Sequence, residues 1–164
     1  MTTRNPVRFL LETEMPWPRY VLVAFLMSTP LAFAISLALG WLGLLGEMPM
    51  DSSRTGPGWV VYQVLLVVVL GPFIETLLMI PILAPMRRIG SPVIICLLSG
   101  AVWALFHSLL VLLWGVAIFF TFVVLTASFL RWEKQSRKKA ILVVTAIHGL
   151  NNLVALLLSL VWPD

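Results

Sequence analysis

Charge is what this sequence has least of. Asp, Glu, Lys and Arg make up only 11% of its 164 residues, against 60% hydrophobic residues and a mean hydropathy of +1.02. Soluble domains carry roughly a quarter of their residues charged, so this chain lacks the polar surface to face water and lipid must be the solvent for most of it. Cysteine is almost missing as well. Cys96 stands alone in an apolar run, which excludes a disulfide framework and a thiolate metal cluster. There is no internal repeat, which argues against a transporter built on alternating-access symmetry. The net charge of +4 and pI near 9.8 come from basic residues placed beside apolar segments. Their expected counter-charge is the anionic lipid headgroup, and no nucleic-acid partner is expected.

What the chain does have is long apolar runs, several reaching the roughly 20 residues that cross a hydrocarbon core about 30 Å thick. Residues 1–19 read as a polar, cytoplasmic N-terminal tail with a short surface helix, and 20–164 as a single transmembrane domain. The first span runs from Tyr20 to Leu45. It continues past the signal-peptidase-like Ala32-Phe33-Ala34, which favours a retained helix. Gly46 to Gly58 reads as a loop, and Trp59 to Leu83 as the second span, ended by Pro85-Met86-Arg87-Arg88-Ile89-Gly90-Ser91-Pro92. From Val93 to Leu130 the apolar stretch is too long for one helix, and Trp114-Gly115 is the expected turn between spans three and four. Arg131 to Lys139 forms a basic loop, and Ala140 to Val161 the fifth span. The fold class is therefore all-α, an integral membrane bundle of about five helices. Trp17, Trp41, Trp59, Trp114 and Trp162 fall near span ends, where an aromatic belt is expected.

Five spans put Arg4, Arg8, Arg19, Arg87, Arg88, Arg131, Lys134, Arg137, Lys138 and Lys139 on one side and leave Arg54 on the other with Glu47 and Asp51. By the positive-inside rule the amino terminus is cytoplasmic. Four spans would spoil this segregation. A multi-pass protein of a prokaryotic plasma membrane is the expected setting.

Six of the seven acidic residues belong to tails and loops, which leaves Glu75 alone inside a span, and His107 and His148 are in spans too. An ionisable side chain in lipid costs at least a few kcal/mol, so each should face the bundle interior and find a partner. One His with one Glu could merely pin two helices together. Three such groups with His148 and Asn152 four apart on one helix face, and Asn151 as an alternative to Asn152, point instead to a shared polar site.

Three segments in order resemble the motifs of the CPBP intramembrane proteases, which include the type II CAAX prenyl endopeptidases and bacteriocin-processing and immunity proteins. They are Glu75 to Ile80, where the family has two glutamates and, after three residues, an arginine; Trp103-Ala104-Leu105-Phe106-His107, where it has phenylalanine four before histidine; and His148-Gly149-Leu150-Asn151-Asn152, where it has histidine four before asparagine or aspartate. The resemblance covers residues 71–152. It departs at Thr76 for the second glutamate, Ile80 for the arginine and Trp103 for the phenylalanine. Losing the glutamate and arginine together leaves no unpaired buried charge.

The resemblance implies hydrolysis of a peptide bond in a membrane-associated peptide or protein substrate, with Glu75 and His107 activating a water and His148 and Asn152 stabilising the oxyanion. No cofactor is expected. Zinc on the two histidines and the glutamate is the less favoured alternative, since no H-E-x-x-H helix presets its geometry. A catalytically inactive scaffold or immunity protein of the same fold is the nearest rival, and a haem protein using His107 and His148 as axial ligands would leave Glu75 and Asn152 without a role. One tension concerns depth. Counted from the expected cytoplasmic span ends, Glu75 and His148 lie about eight residues in and His107 about fifteen, a mismatch of roughly 10 Å. Tilt, a kink near Ser99-Gly100 or a span starting below the membrane surface would have to absorb it.

Overall fold

The computed structural model describes residues 5–44 and 56–161, and every regular element among them is helical. Helix α1 spans Pro6–Glu12, α2 Trp17–Trp41 and α3 Pro57–Gln63. A π-helical segment, Val64–Leu70, joins α3 to α4, Gly71–Met86. Helices α5, Pro92–Ser108, α6, Trp114–Glu133, and α7, Arg137–Val161, complete the chain. Helix α2, the continuous rod 57–89, α6 and α7 are each long and apolar enough to cross a bilayer. Helix α5 is apolar but has 17 residues, about 26 Å at 1.5 Å per residue. The expected membrane bundle is therefore present as four long helices and a shorter fifth. The expected loop 46–58 lies mostly outside the described residues, as do Arg4, Glu47, Asp51, Arg54, Trp162, Pro163 and Asp164.

Helix α6 is the centre of the bundle, packed on α1, α2, α5 and α7. Thr121 to Phe129 are buried without a break, and the outward faces of α2, α4 and α5 carry exposed leucines and isoleucines such as Leu26, Leu78, Ile94 and Leu98. Between helices in lipid the hydrophobic effect offers little, so association depends on close packing and hydrogen bonds among small polar residues. The interior shows both. Thr126 donates to the Ser99 hydroxyl at 2.9 Å, and the Tyr20 hydroxyl lies 3.2 Å from the Leu10 carbonyl and 3.3 Å from the Ser128 hydroxyl.

The segment read as a polar tail joins this interior. Asn5 caps α1 by accepting from the Val7 N–H at 2.9 Å, with Pro6 at the first helical position where its missing N–H is no loss. Val7, Leu10 and Leu11 are buried. Arg131 donates to the Thr13 carbonyl at 2.8 Å, and Arg87 pairs with Glu133 at 2.5 Å. These contacts gather the amino-terminal segment, the α4–α5 connection and the α6–α7 turn at one end of the bundle, as the segregation of basic residues requires.

The turn between spans three and four lies earlier in the chain than Trp114-Gly115. Helix α5 stops at Ser108, residues 109–113 turn, and Trp114 and Gly115 open α6. The turn is built of Leu109, Leu110, Val111, Leu112 and Leu113, with Leu113 in the left-handed region at φ 65°. A turn in apolar surroundings has no need of polar residues, which removed the composition signal on which its position was judged. Gly115 matters for closeness rather than for turning. A Cβ there would lie 1.8 Å from the Ala104 carbonyl oxygen and 2.4 Å from the Ser108 hydroxyl, and its N–H donates to that hydroxyl at 3.2 Å. Gly115→Ala should therefore cost at least about 2 kcal/mol, as backbone rather than a flexible side chain must give way. Thermal unfolding in detergent checks this, and an unchanged midpoint would mean that α5 and α6 do not need this contact.

Candidate active site

Glu75 reaches its place because the helix carrying it is irregular just before it. Pro72 has no N–H, and its ring crowds the carbonyl four residues back. The Gly71 N–H bonds instead to the Leu66 carbonyl, five residues back, and the chain from Val64 to Leu70 is π-helical. Such segments are rare inside helices and often sit at functional sites. The rod then resumes as α4, with Glu75 one turn in.

Three helices converge on that side chain. Glu75 Oε2 lies 3.9 Å from Nε2 of His107 on α5 and 4.0 Å from Nε2 of His148 on α7. Neither is a direct hydrogen bond. Oε2 is buried and has no hydrogen-bond partner among the described residues, an exception that asks for an explanation in a buried polar atom. One water bonded to two groups at about 2.8 Å holds them roughly 4–5 Å apart, so the spacing suits a shared water.

The orientation of His107 is set locally. Its Nδ1 lies 2.9 Å from the Trp103 carbonyl, an acceptor only, so Nδ1 carries a proton, and in the neutral form of the ring the lone pair is on Nε2, which faces Glu75. Aromatic rings hold the imidazole: Trp114 edge-on at 4.9 Å and Phe122 at 5.2 Å. Trp103 stacks on Phe122 at 4.7 Å, and Phe122 meets His148 edge-on at 5.5 Å. Trp103, at the phenylalanine position of the motif, thus keeps an aromatic wall. Phe122 separates the two histidines, and no spacing pattern in the apolar run of α6 singled it out. Trp114, expected only as an interface anchor, also packs on His107.

The depth tension is reduced from roughly 10 Å to roughly 6 Å. Helix α4 continues to Met86 and α7 begins at Arg137, so Glu75 and His148 are each 11 residues from those ends and His107 is 15 from Pro92. The residual offset of four residues is roughly 6 Å, which side-chain reach and helix tilt absorb.

Asn152 and Asn151 are placed differently from the three. The Asn152 amide donates to the Val67 carbonyl at 2.8 Å and has no hydrogen bond to Glu75, His107 or His148. Asn151, read as its alternative, faces α2, where Thr29 donates to its Oδ1 at 2.5 Å and its amide donates to the Ser28 hydroxyl at 3.3 Å. It ties α7 to α2 beside Pro30, and the cluster does not include it.

Fold and site together define a multi-pass membrane protein with a carboxylate set between two imidazoles inside its bundle. Residues 57–154 match the family model of type II CAAX prenyl endopeptidase Rce1-like proteins, and the chain belongs to that protease family. No curated protein and no solved structure matches the chain.

The departures from the family motif have a structural counterpart. Thr76 is fully buried, donates to the Pro72 carbonyl at 2.6 Å and lies 3.3 Å from the Thr145 hydroxyl of α7. Ile80 is one turn further on the same face and packs against the core. A glutamate at 76 and an arginine at 80 would therefore neighbour one another, and hydroxyl contact with α7 replaces that pair here. Thr76→Glu alone should lower stability by about 3 kcal/mol, as an unpaired buried charge does, and Ile80→Arg in the same chain should recover most of it. Unfolding midpoints of both variants measure this; a double variant no more stable than the single would show that the two positions do not pair.

Proposed function

We propose that this protein is an intramembrane endopeptidase of the CAAX-protease and bacteriocin-processing type, in which Glu75 activates water to hydrolyse a peptide bond of a membrane-associated substrate. The observation that carries the reading is the unpartnered Glu75 Oε2 within 4.0 Å of two imidazole nitrogens contributed by two other helices. Glu75 and the Nε2 lone pair of His107 take the proton of a water as its oxygen attacks the scissile carbonyl. His148 donates from Nε2–H to the oxyanion that forms, and the second amide N–H of Asn152, whose first is held by the Val67 carbonyl, supports it from one turn further along α7. The proton held at the Glu75–His107 pair then passes to the leaving amine as the tetrahedral intermediate collapses. The Glu75 side chain is 27% exposed while those of His107 and His148 are 13% and 7%, which supports approach of the substrate from the glutamate side.

The reading includes no metal. No H-E-x-x-H helix presets zinc geometry on these three side chains, and Glu75 is read as the base rather than as a ligand. The amino terminus and the basic end of the bundle are assigned to the cytoplasm of a prokaryotic cell. Thr76 and Ile80 favour a second reading, an inactive scaffold or immunity protein of the same fold.

The deciding experiment offers the purified protein, in lipid nanodiscs, a panel of membrane-anchored peptides that includes a prenylated carboxyl-terminal peptide and its unprenylated counterpart. Cleavage should fall about 10³-fold in Glu75→Gln with folding retained, and chelators should leave the wild-type rate unchanged. Cleavage surviving Glu75→Gln would overturn the mechanism. Loss to chelators restored by zinc would make Glu75 a ligand, and a wild-type protein that cuts nothing on the panel would favour the scaffold.

A further inference from the structure

The face that α7 turns towards the second span is made of Thr145, His148, Gly149 and Asn152, successive positions of one helical stripe. Each has a counterpart along the rod 57–89. Thr145 meets Thr76 at 3.3 Å, and His148 faces Glu75 at 4.0 Å. At Gly149 the two backbones come so close that a Cβ would lie 2.7 Å from the Val68 carbonyl oxygen. Asn152 donates to the Val67 carbonyl at 2.8 Å.

That last bond answers a specific deficit. In an α-helix the Val67 carbonyl would accept from Gly71, but the Gly71 N–H is bonded to Leu66. In the π arrangement it would accept from the residue five further on, which is Pro72 and has no N–H. In the arrangement present the carbonyl is therefore left without a backbone donor, and an unmet acceptor in lipid costs more than one that water can reach. The Asn152 amide takes the place of the missing proline hydrogen.

A π-helical segment also sets the rotational phase of the helix after it, because residues beyond the segment point in directions that an uninterrupted α-helix would not give them. Glu75 is three residues past Pro72. We propose that Asn152 is a positioning residue that completes the π segment at Val67 and so holds the phase of α4 against α7, placing the Glu75 carboxylate opposite His148. Its consequence for turnover rests on the reading of Glu75 as the base. The bond and the helix phase can be measured without turnover.

The test uses the Thr76–Thr145 contact as a reporter. In the full chain with Cys96→Ala, the pair Thr76→Cys and Thr145→Cys is oxidised in nanodiscs and the rate of cross-linking followed. Asn152→Leu, close to isosteric but without a donor, should slow cross-linking about tenfold, the scale of one hydrogen bond. Pro72→Ala added to it returns an N–H facing Val67 and should restore the rate. Cross-linking in Asn152→Leu as fast as in the parent overturns the proposal, as does slow cross-linking that Pro72→Ala leaves slow. A protein that cleaves nothing gives the same cross-linking result, so failure of the peptidase reading and failure of this one are seen separately.

Discussion

Lipid cannot satisfy a hydrogen bond, and most of this molecule is shaped by that one constraint. Where Pro72 breaks the backbone ladder, or an ionisable group enters a span, another part of the chain or a held water has to answer it. Pro72 leaves the Val67 carbonyl without a donor, and Asn152 supplies one. Between α2 and α7, Ser28 and Thr29 hold Asn151. Glu75 in its turn draws two histidines from two other helices. The polar groups inside the bundle form the contacts that decide how its helices are placed.

Helix α6 supplies the apolar half of the same solution. Its nearly continuous burial makes it the post around which α2, α5 and α7 stand. Phe122 projects from it between His107 and His148, touching both rings. An aromatic wedge keeps the imidazoles apart while the carboxylate brings their nitrogens to one point, and a peptidase of this family needs a site in which water is held and otherwise excluded. Glycine is used where helices must nearly touch, at Gly115 between α5 and α6 and at Gly149 between α7 and the π segment.

The loss of the motif's second glutamate and its arginine fits this economy of buried charge. Thr76 turns its hydroxyl to Pro72 and Thr145, so the position keeps a polar link to α7 with no ion to solvate. Glu75, at the family's first glutamate position, remains the one acidic side chain in the interior of a described span, while Glu133 closes α6 at the basic end of the bundle.

Composition and hydropathy were enough to make the chain a membrane bundle, because the length of an apolar run is a direct physical requirement for crossing a bilayer. They were also enough to single out Glu75, His107 and His148, because an ionisable group in lipid is too costly to keep without a use. The α5–α6 turn was placed several residues late, since its five apolar residues lack the polar and glycine signals that mark turns in water. Phe122 was invisible among the other apolar residues of α6, and spacing favoured Asn152 with Asn151 as its alternative without showing that one faces the π segment and the other α2. Those choices depend on which helices are neighbours and on the rotation that a π segment gives to α4. Sequence periodicity describes one helix at a time, and only packing sets the phase of one helix against another.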